Sequence, residues 1–266
     1  MIDGLGPYGV ALSVTDDLEA HAEAVEGLGY SAIWVAGGQL ATLDPLLRIL
    51  RATTRVAVVP GIIPLDVHGP PAIAALYAEA ERIAPGRLVV GLGAQAGGIV
   101  ALNGALDELD ATLPRERRLL AALGPRKLDL ARDRFGGAVT LLVNPGYTAW
   151  ARERLGSGPA LVVDQMVVLE EDAAAARAAA REPLRFLAAV PGYAAAFSRM
   201  GFTDPDVRDL SDGLVDAAFA WGGADRVVAR LREQLAAGAD HVVLGPLGGP
   251  GELETLERLA PSLVRA

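Results

Sequence analysis

Short apolar runs with strand character alternate with longer segments of helical period along almost the whole chain. The first three apolar runs are Tyr8 to Ser13, Ser31 to Val35 and Arg55 to Ile63. Each run precedes a segment whose apolar residues recur every three or four positions. Such alternation is typical of parallel strands joined by crossover helices. The pattern therefore predicts the α/β class.

The alternation continues through five further strand and helix units. The later strands are predicted at Leu88 to Leu92, Arg118 to Leu123, Ala138 to Val143, Leu161 to Leu169 and His241 to Leu244. Eight parallel strands close into a (β/α)8 TIM barrel, whose usual size is about 250 residues. We therefore expect one barrel domain over residues 1–266, with a doubly wound open sheet as the alternative.

The alternation lapses between residues 191 and 221, after the seventh predicted strand. Pro205 and Gly213 break this stretch, which is typical of short helices and turns. We interpret residues 191–221 as a helical insertion between strands seven and eight. The insertion is predicted to act as a lid with Gly192, Gly201 and Gly213 as hinges, or as a static cap over the barrel rim.

The composition argues against several classes of function. The chain has 24 Lys and Arg against 33 Asp and Glu, a formal net charge of −9, so it lacks the cationic surface that nucleic acid or an electrostatic membrane anchor requires. The absence of cysteine excludes disulfides, thiolate metal sites and a cysteine nucleophile. His21, His68 and His241 lack neighbours at ligand spacing, and we expect no metal site.

The amino-terminal and apolar segments bear on localisation. The most apolar stretch, Val56 to Leu65, is interrupted by Pro60, Gly61 and Pro64, and the first residues lack a basic region followed by an apolar core. A membrane helix needs about 18 or more consecutive apolar residues. We therefore expect a cytoplasmic protein without a signal peptide.

Five segments carry a resemblance to a known superfamily when they are taken together and in order. They are GYSAIWV at 29–35, TRVAVVPGI at 54–62, APGRLVVGLG at 84–93, AALGP at 121–125 and AGADHV at 237–242. In this wording and order the chain resembles the luciferase-like monooxygenase superfamily, within its branch of oxidoreductases that use the deazaflavin coenzyme F420. The resemblance extends over nearly the whole chain.

The resemblance implies a cofactor ring over the barrel mouth. It implies a non-prolyl cis peptide at Gly61-Ile62 that backs the ring, and a cofactor phosphate and side chain held at the ends of strands five and six. The implied cofactor-binding residues are Gly37, Gly61, Ile62, Gly93, Ala94, Ala121, Ala122, Leu123, Gly124, Asn144, Pro145, Gly146 and Tyr147. Helix starts favour anions there, and Arg126 and Lys127 in a first helical turn are better explained by a nearby anion than by helix stability.

The implied activity is hydride transfer between F420 and a small organic substrate, namely an alcohol, a carbonyl compound or an activated alkene. The candidate catalytic residues are His68, Tyr147 and Asp66, as proton donors or acceptors at the mouth. Gln39, Gln95 and Gln165 are candidates for hydrogen bonds to the substrate or the ring edge. Related barrels also imply a homodimer.

Two other functions stay open at this point. An FMN-dependent reductase or monooxygenase is one, because the superfamily uses both cofactors. A non-catalytic barrel that binds a cofactor or a metabolite is the other. It is suggested by Gln95-Ala96, which stand where relatives commonly have a histidine, and by Gly146-Tyr147, which stand where relatives often have a Glu-His pair.

Overall fold

The computed structural model describes residues 2–94, 98–190 and 192–264, apart from the side chain of Gln39. The strands within these residues are β1 (Tyr8–Leu12), β2 (Ala32–Val35), β3 (Ala57–Pro60), β4 (Ile63–Pro64), β5 (Val90–Gly93), β6 (Arg118–Ala121), β7 (Gly137–Leu141), β8 (Ala160–Val168), β9 (Ala220–Trp221) and β10 (His241–Pro246).

Helices connect these strands along the chain. They are α1 (Leu18–Leu28), α2 (Asp44–Ala52), α3 (Pro70–Ile83), α4 (Gly98–Leu109), α5 (Pro125–Arg134), α6 (Pro145–Leu155), α7 (Ala173–Ala188), α8 (Tyr193–Arg199), α9 (Asp204–Asp209), α10 (Asp212–Ala218), α11 (Ala224–Ala236) and α12 (Glu252–Leu263). Short 3-10 turns occur at Gly37–Gln39 and Arg115–Arg117. In the part of the chain described here, no helix is both long enough and apolar enough to cross a bilayer.

The parallel sheet closes on itself. Its strands follow the order β3-β2-β1-β10-β8-β7-β6-β5-β4. β3 and β4 are two pieces of one strand separated by Gly61 and Ile62; β4 pairs with β5, and a bridge joins Val58 to Leu88 just before β5. The predicted (β/α)8 barrel is therefore confirmed, and the open-sheet alternative is wrong.

Side chains alternate between the inside of the barrel and the layer beneath the helices, as the period of a strand requires. Ala32, Trp34 and Val59 belong to the cluster inside the barrel. Ile33 and Val58, one position along, belong to the larger cluster between the sheet and its helices.

A hydrogen-bonded Trp and His pair lies in the barrel interior. Trp34 Nε1 donates to His241 Nε2 at 3.0 Å, and His241 Nδ1 donates to the carbonyl of Gly6. Gly9 leaves room for this ring, because a Cβ there would lie 2.6 Å from His241 Nε2. Burial lowers the pKa of His241 to about 4, so the ring is neutral and structural.

Helices α8, α9 and α10 and strand β9 form the insertion before α11. Its apolar core contains Phe197, Leu214 and Phe219, and Met166 and Leu247 at the barrel mouth pack against it. β9 pairs in parallel with the end of β8. The insertion therefore covers the side of the mouth formed by β8 and β10, as a helical element between the seventh and eighth barrel strands.

Candidate active site

The peptide bond between Gly61 and Ile62 is cis, as the resemblance implies. It lies where the third barrel strand stops pairing with β2 and starts pairing with β5. Trp34 supports it from the barrel interior, since a Cβ on Gly61 would lie 3.1 Å from Trp34 Cε3. We call residues 60–63 the bulge.

Three glycines surround the bulge because no side chain fits beside it. A Cβ on Gly37 would lie 2.4 Å from the Ile62 carbonyl oxygen, and one on Gly91 would lie 2.2 Å from the Pro60 carbonyl oxygen. A Cβ on Gly93 would lie 2.6 Å from Ile62 Cδ1. The half-buried side chain of Ile62 therefore packs against the backbone of Gly91 and Gly93 at the strand ends.

The two helix starts predicted to hold an anion differ from each other. Gly124 precedes α5 without any side-chain cap, and the space around its Cβ position is open. At α6 the Asn144 side chain already accepts a hydrogen bond from the Tyr147 amide at 2.8 Å. An N-cap side chain uses the same amides that an anion would use, so α5 is the more available of the two.

Lys127 reaches from the first turn of α5 toward the end of β5. Its Nζ lies 3.4 Å from the carbonyl oxygen of Ala94. Burial lowers the pKa of Lys127, and the charge of Asp66 acts in the opposite direction. Ala94, Asp66 and Lys127 are therefore neighbours at this edge of the mouth, while Arg126 is exposed.

The three predicted catalytic residues have separate surroundings. The Tyr147 hydroxyl donates to the carbonyl of Leu123, and burial raises the pKa of Tyr147 to about 12. His68 Nε2 donates to the carbonyl of Leu40 at 3.0 Å. Asp66 lies near Lys127. Their roles in proton transfer stay predictions.

The glutamines are placed differently from one another. Gln165 donates to the carbonyl of Ala218 and accepts from Gln234, so it faces the helices rather than the mouth, and its predicted contact with substrate is wrong. Gln95 and Ala96 lie outside the described residues, as does the side chain of Gln39.

A cavity of about 570 Å³ opens at the mouth between β1, β2, β8, β10 and the start of α12. Small-molecule sites span about 300 to 1,000 Å³. Ala36, which directly follows β2, lines this cavity. The next residue in the chain is Gly37, which packs against the bulge, so the cavity and the bulge adjoin each other. Glu252 also lines it, with its carboxylate accepting from the amide and the hydroxyl of Ser13 at 3.0 and 2.9 Å.

Asp164 lines the same cavity, and sequence reasoning gave it no role. Burial raises the pKa of its carboxyl to about 7, because a charge is poorly solvated there. The signal in the sequence was an acidic residue inside an apolar strand, Leu161 to Leu169. A carboxyl group that titrates near neutral pH in a cavity is suited to proton transfer.

Comparison with known proteins supports the barrel and the resemblance. The family model described as luciferase-like monooxygenase matches residues 4–119. A search of curated protein sequences found no significant match.

Solved structures align over almost the entire chain. The coenzyme F420-dependent tetrahydromethanopterin reductase from Methanopyrus kandleri is 16% identical, with a TM-score of 0.74 over 96% of this chain and 97% of that one. An F420-dependent secondary alcohol dehydrogenase, in complex with an F420-acetone adduct, is 14% identical, with a TM-score of 0.74 over 98% and 100%. The oxygenating constituent of 3,6-diketocamphane monooxygenase from Pseudomonas putida, in complex with FMN, is 13% identical, with a TM-score of 0.63 over 98% of both chains.

These similarities show that the chain has the barrel fold found in luciferase-like enzymes. The predicted resemblance to the luciferase-like monooxygenases is confirmed over residues 4–119.

Proposed function

We propose that this protein is an F420-dependent oxidoreductase that transfers a hydride between the deazaflavin and a small alcohol, carbonyl compound or activated alkene. The observation that carries the proposal is the bulge at residues 60–63, which packs against backbone free of side chains at Gly37, Gly91 and Gly93 and adjoins the cavity at Ala36. This arrangement places the half-buried Ile62 side chain as a floor at the carboxyl ends of the strands, where barrels of this kind carry their activity.

The residues present fit a tricyclic ring with an anionic side chain. Ile62 offers the ring an apolar side chain, and Gly93 leaves the room that Ile62 needs, since a Cβ there would lie 2.6 Å from Ile62 Cδ1. The uncapped start of α5, with Arg126 and Lys127, offers the anion amides and cations. When bound, the deazaflavin supplies or accepts the hydride, and the protein binds, orients and shields the reactants.

F420 is proposed ahead of FMN because two structural neighbours are F420-dependent enzymes and the sequence resembles that branch. The FMN complex of the Pseudomonas putida protein favours FMN as the second candidate on the same floor. His68, Tyr147 and Asp66 stay candidates for steps that move protons to or from the mouth, and a loss of turnover on alanine substitution tests each of them.

Turnover tests the activity. Purified protein is mixed with reduced F420 and a panel of ketones and enones, and with oxidised F420 and the matching alcohols, while the F420 absorbance is followed. We expect substrate-dependent oxidation or reduction of the coenzyme. Binding of F420 without turnover of any panel member would contradict the oxidoreductase and favour a barrel that only binds its cofactor.

A further inference from the structure

Asp164 faces the cavity because of its position in β8. Val162 lies inside the barrel, and Asp164 and Met166 line the cavity two and four positions later. Gln165, between them, turns outward to Gln234 on α11. The strand period therefore fixes the carboxyl of Asp164 at the wall of the cavity rather than beneath the helices.

Within the described part of the chain, the Asp164 carboxyl has no partner that would fix its charge. Among the described residues, none donates a hydrogen bond to it, and no Lys, Arg or His lines the cavity. The other ionisable side chain of the lining, Glu252, is held by Ser13. A carboxyl group in such surroundings favours its neutral form and is free to bond to a ligand.

Tyr193 of the insertion lies close enough to Asp164 for the charge of the carboxyl to act on its phenol. Burial is the larger cause of the raised pKa of this phenol, and the charge of Asp164 raises it further. The Tyr193 ring packs on Phe197 of the insertion core, with 6.0 Å between the ring centroids. Among the described residues, the ionisable side chains beside Asp164 are thus Tyr193, which stays protonated at neutral pH, and Glu252 of the same lining.

We infer that Asp164 is the acid and base that exchanges a proton with the substrate, and that the cavity selects neutral carbonyl compounds and alcohols over anions. This inference rests on the proposed function. It specifies which residue gives the substrate its proton and which charge the substrate carries. Two acidic side chains and no basic one among the described residues of the lining disfavour a carboxylate or phosphate substrate.

The proton balance follows from carbonyl reduction. The carbon–oxygen π bond of the substrate breaks, its carbon gains the hydride, and its oxygen takes the Asp164 proton. When bound, the reduced deazaflavin would supply this hydride and release one ring N–H proton to water. Asp164 is left as a carboxylate that regains one proton from water, so the substrate gains one hydride and one proton overall. In alcohol oxidation the carboxylate instead accepts the hydroxyl proton.

The first test uses the protein without any cofactor. Carboxyl resonances of ¹³C-aspartate-labelled protein are followed with pH, and the Asp164→Asn variant assigns the signal. We expect this carboxyl to titrate near neutral pH, and the matched Glu252→Gln variant to keep that titration. Titration of Asp164 near 4, the ordinary range, would overturn the inference.

Ligand probes provide the second test, again without cofactor. Cyclohexanone is expected to bind at least about tenfold more tightly at pH 6 than at pH 9, since only the protonated acid donates to its oxygen. Asp164→Asn should remove this pH dependence, and cyclohexanecarboxylate should bind more weakly than cyclohexanone. Cyclohexanone affinity that does not change with pH would overturn the inference, whatever the coenzyme titration shows.

The loaded enzyme gives a third readout. For carbonyl reduction, kcat/KM should fall as the pH rises through the Asp164 titration, and Asp164→Asn should lower kcat by about 100-fold or more and remove this break. An Asp164→Asn variant that keeps both kcat and the pH profile would overturn the inference. Failure of F420 and FMN to bind would instead count against the proposed function, and the two tests without cofactor separate the cases.

Discussion

At the scale of single residues, the buried neutral His241 makes the stability of the folded protein depend on pH. Its pKa falls from 6.5 to about 4 on folding, so as the pH drops through this window the unfolded chain takes up a proton that the folded chain does not. The free energy of unfolding should therefore decrease by about 3 kcal/mol. Asp164 acts oppositely, because its pKa is raised from 3.8 to about 7 and protonation stabilises the folded state.

The contribution of His241 to the pH dependence of stability is obtained by comparing the Asp164→Asn variant with the double variant Asp164→Asn/His241→Asn. At pH 7.5 the double variant should be about 1 to 3 kcal/mol less stable, because the Trp34 indole loses its acceptor. By pH 4.5 that difference should shrink or reverse, as measured by urea unfolding. A stability difference that is constant with pH would contradict a buried neutral His241.

At the scale of elements, the bulge and the turn at Gly37–Gln39 depend on each other. Gly37→Ala places a Cβ 2.4 Å from the Ile62 carbonyl oxygen, whereas Gly38→Ala, its neighbour, meets nothing closer than 4.0 Å. We expect Gly37→Ala to lower the free energy of unfolding by about 2 kcal/mol and to weaken cofactor binding, with Gly38→Ala close to wild type. Equal stability of the two variants would contradict the close packing.

We expect Tyr193 of the insertion to help keep the pKa of Asp164 raised. Tyr193→Ala removes the ring that excludes water, so the pKa of Asp164 should fall toward its ordinary value. Tyr193→Phe keeps the ring and should keep most of the elevation. The ¹³C titration measures both variants, and a pKa that is unchanged in Tyr193→Ala would contradict the shielding role.

Sequence reasoning located elements better than side-chain directions. The strands and the irregular insertion follow from local periodicity, but the predicted strand Arg55 to Ile63 is broken by the bulge, which depends on space left by Gly37, Gly91 and Gly93. The predicted contact of Gln165 failed because the period of a strand does not say which of its faces is inside. Which residues of β8 point into the barrel is set by its pairing with β7 and β10. The sequence therefore shows that Asp164 is an acidic residue in an apolar strand, but it does not show that its side chain lines the mouth.

At the scale of the whole molecule, the barrel brings distant segments to one mouth. Ser13 and Glu252, near opposite ends of the chain, meet at the cavity wall, and the insertion covers the adjoining side. The single domain over residues 1–266, the homodimer and the cytoplasmic location stay predictions. Light scattering at several protein concentrations tests the predicted homodimer, for which we expect a mass twice that of the 27.5 kDa chain.

The central claim is that this mouth binds a deazaflavin. Titration of the purified protein with oxidised F420 and, in parallel, with FMN, followed by fluorescence quenching, tests it most directly. We expect saturable binding of F420 at one site per chain, weakened in Gly37→Ala and retained in Gly38→Ala, with FMN binding more weakly. Tighter binding of FMN would contradict the choice of cofactor, and binding of neither would contradict the cofactor site while leaving the barrel unchanged.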